Sequence, residues 1–171
     1  MKKFLLTIMV VFAGALTASA QKFALVDMEY ILKNVPAYER ANEQLNQVSK
    51  KWEGEVQALL NEVETLYKKY QSESVFLSDT QKTKAEEASV AKEKEASELK
   101  KKYFGAEGEL FKKRQSLMSP IQDEIYNAVK DICDKKGFQL VLDRASGGSI
   151  IYASPKIDIS DEVLQRLGYS N

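Results

Sequence analysis

The sequence predicts an α+β protein in which a long antiparallel helical hairpin, of coiled-coil type, joins a small β-rich body. Residues 37–133 contain one proline and are rich in Glu, Lys, Gln, Ala and Leu, which lose little side-chain entropy in a helix. One interruption, at residues 74–80, divides this stretch into two arms. Short apolar runs typical of strands lie on either side of it, at residues 23–26 and 138–142.

The first twenty residues have the three parts of a secretory signal. Lys2 and Lys3 are basic, residues 4–16 are apolar, and Ala18-Ser19-Ala20 is a cleavage site. The apolar part is about 13 residues long, whereas a helix that spans a bilayer needs roughly 20. We therefore expect cleavage after Ala20 and a location in a bacterial envelope, outside the cytoplasmic membrane.

The composition argues against several classes of function. The charges balance, with 25 basic and 25 acidic residues, so the clustered positive charge of a nucleic-acid-binding surface is missing. There is no histidine, the commonest general base and metal ligand, and no phosphate-binding or nucleotide-binding motif occurs. Asp27, Asp143 and Asp158 stand at strand ends, where helix capping and turn formation explain them better than catalysis. We therefore expect no cofactor and no enzymatic activity.

The N-terminal part of the body is one strand and one short helix. The run Phe23-Ala24-Leu25-Val26 is apolar throughout, which predicts a strand buried on both faces. A short helix over residues 28–34 is expected to end before Pro36, because the residue that precedes a proline avoids helical angles. When the hairpin folds, Pro36 lies level with Pro120. We therefore divide the exported chain into a body, residues 21–36 and 120–171, and an arm, residues 37–119.

The two arms differ in how much apolar surface they offer. In the first arm, apolar residues recur in a heptad pattern with one extra step of four near Trp52, which locally unwinds a supercoil. Ser78 and Gln81 have the spacing of a capping box, so Ser78 is expected to cap the second arm. Between residues 82 and 97 the apolar residues are mostly alanines, which bury little surface. The outer end of the hairpin is thus expected to be mobile or to need a partner.

Three glycines lie at similar height on the two arms. Folding the chain about residues 77–79 places Gly105 and Gly108 of the second arm roughly level with Gly54 of the first. A glycine inside a helix costs about 1 kcal/mol relative to alanine. These weak points predict a hinge formed by Gly54, Gly105 and Gly108. A local packing requirement beside Trp52 and Phe104 explains the glycines equally well.

The C-terminal part of the body begins with a helix that Gly137 is expected to end. Residues 138–143 and 149–153 have the composition of strands and are separated by the turn residues Ala145-Ser146-Gly147-Gly148. This pattern predicts an antiparallel β-hairpin. The chain is then expected to be extended over residues 157–159.

A final helix, residues 161–167, is expected to follow Ser160 as its cap. The body thus has three short strands, which cannot close a barrel or cover both of their apolar faces. A symmetric oligomer, in which the strands of several copies form one shared core, is the simplest way to bury those faces. The helical arms would extend from that core.

The order of these segments resembles the Skp/OmpH family of periplasmic chaperones over the whole exported chain. The long helical hairpin alone would match many coiled coils, whereas the C-terminal segments are more specific. The segments that carry the resemblance are the signal peptide, Lys22-Phe23-Ala24-Leu25-Val26-Asp27-Met28, the helical hairpin, Phe138-Gln139-Leu140-Val141-Leu142-Asp143, Ile150-Ile151-Tyr152-Ala153 and Ile157-Asp158-Ile159-Ser160-Asp161-Glu162-Val163-Leu164.

The resemblance implies a periplasmic homotrimer whose helical arms enclose a cavity. Unfolded outer-membrane proteins would be held there without ATP. The expected trimer core comprises Phe23, Leu25, Val26, Leu140, Val141, Leu142, Ile150, Ile151 and Tyr152. The candidate client-facing residues are apolar or aromatic residues of the arms: Tyr67, Tyr70, Phe76, Leu77, Tyr103, Phe104 and Phe111.

The sequence departs from the family in charge. The best-known member has basic arm tips, whereas residues 68–94 here contain six lysines and five acidic residues. This balance argues against contact of the tips with the membrane or with lipopolysaccharide. A second hypothesis is structural: a periplasmic coiled-coil adaptor with one fixed, folded partner would have the same helical pattern. A chaperone protects unfolded proteins, whereas an adaptor does not, and this difference separates the two hypotheses.

Overall fold

The computed structural model describes residues 22–146, 148 and 150–169, so the predicted signal peptide, residues 1–20, lies outside the described residues. Five helices and two strands follow one another in this part of the chain. They are β1 (Lys22–Val26), α1 (Met28–Lys33), α2 (Pro36–Glu73), α3 (Asp79–Phe104), α4 (Glu109–Lys136), β2 (Phe138–Asp143) and α5 (Ser160–Arg166). A 3-10 helix, Pro155–Ile157, precedes α5.

The chain forms two compact units. One unit is Val35–Glu124, which contains α2, α3 and the first half of α4. The other joins the described residues up to Asn34 to those from Ile125 onward. Its core is made of residues from both ends of the chain: Ala24, Leu25, Val26, Ile31, Ile125, Ala128, Ile132, Ile159, Val163 and Leu164. No helix in the described part of the chain is both long enough and apolar enough to cross a membrane.

The sheet is smaller than predicted and has a different topology. Strand β1 pairs in parallel with β2, in a register that sets Phe23 opposite Leu140 and Leu25 opposite Leu142. On its other edge β1 contacts Asp158 through an isolated bridge, and the Ile159 N–H donates to the Leu25 carbonyl at 2.9 Å. The predicted β-hairpin is therefore wrong, because β2 pairs with the distant β1.

The predicted return strand is also wrong. Residues 150–153 have no regular structure, since neither edge of the two-stranded sheet pairs with them. The expected extended segment over residues 157–159 is in part a 3-10 turn, which ends at Ile157. Helix α5 begins one residue early, at Ser160. The predicted cap by Ser160 is therefore wrong: Ile159 is the N-cap residue and makes no side-chain cap bond, while the Asp158 carboxylate accepts the Ser160 N–H at 2.9 Å.

Helices α2 and α3 form the predicted antiparallel pair. Side-chain contacts between them join Tyr70 to Glu86, Lys92 to Glu62 and Trp52 to Tyr103. The numbers of each pair add to within about two of 156, in agreement with the predicted register. Gln81 accepts the Ser78 N–H at 2.9 Å, which is the half of a capping box that closes the start of α3.

The second arm is interrupted, although the sequence pattern predicts one helix. Helix α3 ends at Phe104 and α4 begins at Glu109, so Gly105 to Gly108 are outside both helices. Glycine is a weak helix former, and two glycines within four residues make this break possible. Pro120 lies inside α4, whereas Gly137 ends that helix with a φ of 73°.

Candidate interaction surfaces

One face of the small sheet is apolar and largely open, since Leu25 is buried there whereas its three apolar neighbours are exposed. Phe23, Leu140 and Leu142 project to the same side, because side chains alternate along a strand, and each is nearly half exposed. On the other side, Ala24 and Val26 are buried. We define the open sheet face as Phe23, Leu140 and Leu142. A contiguous exposed apolar patch of this kind is a candidate interaction site.

The other residues predicted for the trimer core fall into two groups. Leu25 and Val26 are buried within the chain itself, while Val141 and Ile150 are half-buried. Ile151 is fully exposed and Tyr152 is 83% exposed. These two side chains lie in the irregular segment after β2, where the sequence pattern predicted a strand. In the described part of the chain, no neighbouring residue covers these two large apolar side chains.

The three aspartates at the strand ends serve as caps, as the sequence indicated. Asp27 accepts the Tyr30 N–H at 2.8 Å, and Asp143 accepts the Met28 N–H at 3.1 Å. The second oxygen of Asp27 lies 3.1 Å from Arg144, whose guanidinium also reaches Asp158 at 3.3 Å. Arg144 therefore links the end of β1 to the segment that precedes α5.

Replacing Arg144 with alanine is expected to lower the free energy of unfolding by about 1 to 2 kcal/mol, because two partly buried carboxylates lose their cation. Arg166 is a matched control: it is equally exposed, but it pairs with one carboxylate, Asp131, which is itself 44% exposed. Arg166→Ala is expected to cost less than about 1 kcal/mol. Urea unfolding measures both, and equal losses would contradict a special role for Arg144.

No group of three or more His, Cys, Asp or Glu residues in the described part of the chain is placed to hold a metal ion. Cys133, the single cysteine of the sequence, is half-buried. Burial, with a smaller effect of Asp134, raises the pKa of its thiol. A raised pKa favours the unreactive thiol over the thiolate.

The inner part of the helical pair is closed by an aromatic clamp, which we define as Trp52, Glu55, Tyr103 and Phe104. The rings of Trp52 and Tyr103 stack with centroids 4.7 Å apart and planes 6° from parallel. The Tyr103 hydroxyl donates to Glu55, and Phe104 packs edge-on against Tyr103 at 6.3 Å. Aromatic pairs of this geometry contribute roughly 0.5–1.5 kcal/mol beyond the area that they bury. Two predicted client-facing residues, Tyr103 and Phe104, therefore pack within the arm.

A second tyrosine links the helices further out. The Tyr70 hydroxyl donates to Glu86, and Lys92 binds Glu62 at 3.0 Å. The hydrogen bond to Glu86 raises the pKa of Tyr70, and the bond to Glu55 raises the pKa of Tyr103 in the same way. A raised pKa in the folded state means that this stabilisation is complete below the ordinary tyrosine pKa. The stabilisation is lost as the pH rises through the raised pKa of the tyrosine in the folded state.

We therefore expect the α2–α3 pair to loosen in alkaline solution as Tyr70 and Tyr103 ionise beside their carboxylates. The near-ultraviolet absorbance of tyrosinate and the helical circular dichroism should change together above about pH 10. The matched control is the double variant Tyr70→Phe, Tyr103→Phe, which lacks both hydroxyls and retains every lysine. An identical alkaline transition in this variant would show that lysine deprotonation, and not tyrosine, opens the pair.

The remaining candidate client-facing residues are exposed to different degrees. Phe76 is 87% exposed at the tip, Tyr67 and Phe111 are about half exposed, and Leu77 is half-buried. Several exposed apolar side chains were not predicted from the sequence. They are Leu60, Val75 and Val90 on the arm and Tyr126 on α4. Val75 adjoins Phe76 in the same turn, so the interruption of the helical period could have identified it.

The glycines of the predicted hinge have different surroundings. Gly54 lies inside the continuous helix α2, with open space where a side chain would begin. Gly105 and Gly108 lie in the break between α3 and α4. A Cβ atom on Gly105 would be 2.4 Å from the Lys101 carbonyl oxygen, and one on Gly108 would be 2.7 Å from that of Tyr103. The break therefore needs glycine at both positions, because the backbone approaches itself too closely for a methyl group.

The model of the family described as outer membrane protein (OmpH-like) matches residues 22–167. The chain belongs to this OmpH-like family. A protein named Chaperone protein Skp from Yersinia enterocolitica is 29% identical over 171 residues, which cover 98% of this chain and 99% of the relative. Proteins of the same name from Pectobacterium atrosepticum and Photorhabdus luminescens are each 26% identical. The first covers 93% of both chains, and the second covers 98% of this chain and 99% of its own.

The OmpH-like fold is also found among solved structures. A crystal structure of an OmpH-like protein from Caulobacter crescentus superposes with a TM-score of 0.70. The match covers 87% of this chain and 85% of that chain, at 13% sequence identity. At that identity the likeness concerns the fold alone. The long helices and the small sheet are therefore family features, which sequences as different as these two share.

Proposed function

We propose that this protein is an ATP-independent holdase, which binds unfolded outer-membrane proteins in the periplasm, within a cavity between the arms of a homotrimer. The observation that carries the proposal is the match, over 98% of the chain, to a relative named a chaperone. The predicted signal peptide with cleavage after Ala20 supports export to the periplasm. Neither a cofactor nor an enzymatic reaction is part of this proposal.

The trimer would form through the body, residues 21–36 and 120–171. The open sheet face needs cover, and the bare side chains of Ile151 and Tyr152 need partners. Three copies related by a threefold axis would bury these groups together. The arm, residues 37–119, would then be free to contact clients.

Clients would be held by many weak contacts. The exposed apolar side chains of the arm, among them Tyr67, Phe76 and Phe111, are separated by charged residues. Such contacts are individually small and non-directional, so they suit unfolded chains of different sequence. They also permit release without ATP, because folding in the outer membrane lowers the free energy of a client by more than the loss of these weak contacts raises it.

The decisive experiment dilutes a urea-unfolded outer-membrane barrel protein into buffer and follows aggregation by light scattering. We expect an excess of trimer to suppress the scattering, whereas an equal mass of serum albumin does not. If the scattering is unchanged at every ratio of this protein to the unfolded client, the proposal is wrong. A stable complex with one folded envelope protein, without protection of unfolded ones, would support the adaptor hypothesis in its place.

We further propose that the break at Gly105–Gly108 is the hinge of the arm, with Gly54 as the flexible point of the facing helix. Alanine at both Gly105 and Gly108 is expected to narrow the distribution of arm spread, since a methyl group does not fit the bent backbone. Small-angle scattering of the native oligomer measures that distribution. An unchanged distribution would show that the glycines serve local packing alone.

A further inference from the structure

The seam between α2 and α3 is asymmetric in its outer part, which we define as residues 57–95. On α2, the half-buried side chains that face the partner helix are large and mostly apolar: Leu59, Val63, Leu66 and Tyr70. On α3, the half-buried side chains at the matching spacing are Lys82, Ala85, Ser89 and Lys92. The leucine seam, Leu59, Val63 and Leu66, is therefore covered by small or polar groups.

The burial pattern shows where along the helical pair the side chains between α2 and α3 become fully buried. No residue between 57 and 95 is fully buried, whereas Val56 on α2 and Ala96 on α3 are. The aromatic clamp lies on the inner side of this boundary. Further out, the cross-helix polar contacts in the described structure are Tyr70 with Glu86 and Lys92 with Glu62, both at the surface. Exposed pairs of this type contribute little to the stability of the helical pair.

We propose that the arm opens by parting of α2 and α3 from the tip inward as far as the aromatic clamp, and that the leucine seam released in this way binds apolar segments of an unfolded chain. The client half of this inference rests on the proposed function. An apolar client segment suits the leucine seam better than α3 does, because it can supply large side chains where α3 supplies alanine and serine.

Opening is tested first, without any client, by hydrogen–deuterium exchange of the native oligomer. Amides of residues 57–95 are expected to exchange at least about tenfold faster than those of α2 between residues 37 and 56. The seam variant Ala85→Leu, Ser89→Leu should slow the outer exchange by a similar factor. Tyr70→Phe removes one exposed cross-helix bond and should change the outer exchange less than the seam variant does. Uniform exchange along α2, or outer exchange that is unchanged in the seam variant, would overturn the opening.

Client binding is tested with the same seam variant and a matched control. The control, Ala88→Leu, Ala91→Leu, adds leucines to exposed positions of the same helix. We expect the seam variant to suppress client aggregation at least about threefold less well than wild type, and the control to match wild type. If amide exchange is slowed in the seam variant but the variant still fully suppresses client aggregation, the leucine seam is not a client surface. A wild type that protects no client overturns the proposed function and this client half, while the exchange contrast still decides the opening.

Discussion

Gly108→Ala is expected to lower the free energy of unfolding by about 1 to 3 kcal/mol, the cost of forcing a methyl group into closely packed surroundings. Gly108 is buried in the break between α3 and α4. Its added Cβ would lie 2.7 Å from the Tyr103 oxygen and 2.9 Å from both the Gly105 nitrogen and the Lys102 oxygen. All three are backbone atoms, which cannot swing aside as a flexible side chain can. The break must therefore rearrange or be lost.

Gly54→Ala is the matched control for this prediction. Gly54 lies within α2 and its Cβ would meet open space, so alanine should raise the free energy of unfolding by roughly 0.5–1 kcal/mol through better helix propensity. Thermal melting followed by circular dichroism compares the two variants at equal concentration. Equal stability of the two would show that the break tolerates a side chain at Gly108, against the geometry.

Leu140→Asp is expected to convert the proposed trimer to single chains. Leu140 belongs to the open sheet face, opposite Phe23 in the β1–β2 register. A carboxylate there would be buried without a partner in each of the copies, and an unpaired buried charge costs several kcal/mol. The effect is multiplied by symmetry, since each copy contributes the same charge to one shared core.

Gln139→Asp is the control, because Gln139 is an exposed polar residue of the same strand that lies at the β-bulge and is not part of the open sheet face. Native mass spectrometry of the exported chain should give three chains for wild type and Gln139→Asp, and one for Leu140→Asp. A Leu140→Asp protein that remains trimeric would place the interface elsewhere. If the wild-type protein has the mass of one chain, the trimer is no longer part of the proposed function.

Local signals in the sequence identified most of the helical elements. The capping box at Ser78, the helix stop at Gly137 and the register of α2 against α3 all depend on residues close together in sequence or on a regular period. The family resemblance was also confirmed, since the family model matches residues 22–167, which contain every segment that carried it except the signal peptide. The predicted weakness at Gly105 and Gly108 coincides with an actual helix break, which the sequence pattern had treated as continuous helix.

The candidate surfaces were less predictable. Tyr103 and Phe104 have the composition of a client surface, but they are part of the aromatic clamp because Trp52 and Glu55 lie across from them. Val75 was overlooked beside Phe76, although both are bare. Aromatic and apolar residues occur both in packed interiors and in binding surfaces. The sequence alone does not show which residues of the facing helix contact them.

The sequence by itself determined the long helical pair, its register, its turn and the apolar character of β1 and β2, because periodicity and capping are local properties. Only the tertiary structure decided that β2 pairs in parallel with β1 and that residues 150–153 have no strand partner in the described structure. It also decided that the last helix begins at Ser160, whose N–H bonds to the Asp158 carboxylate. The physical reason is that strand pairing satisfies backbone groups far apart in the chain. A segment with strand-like sequence can therefore pair with any of several other strands, and its own sequence does not specify which one.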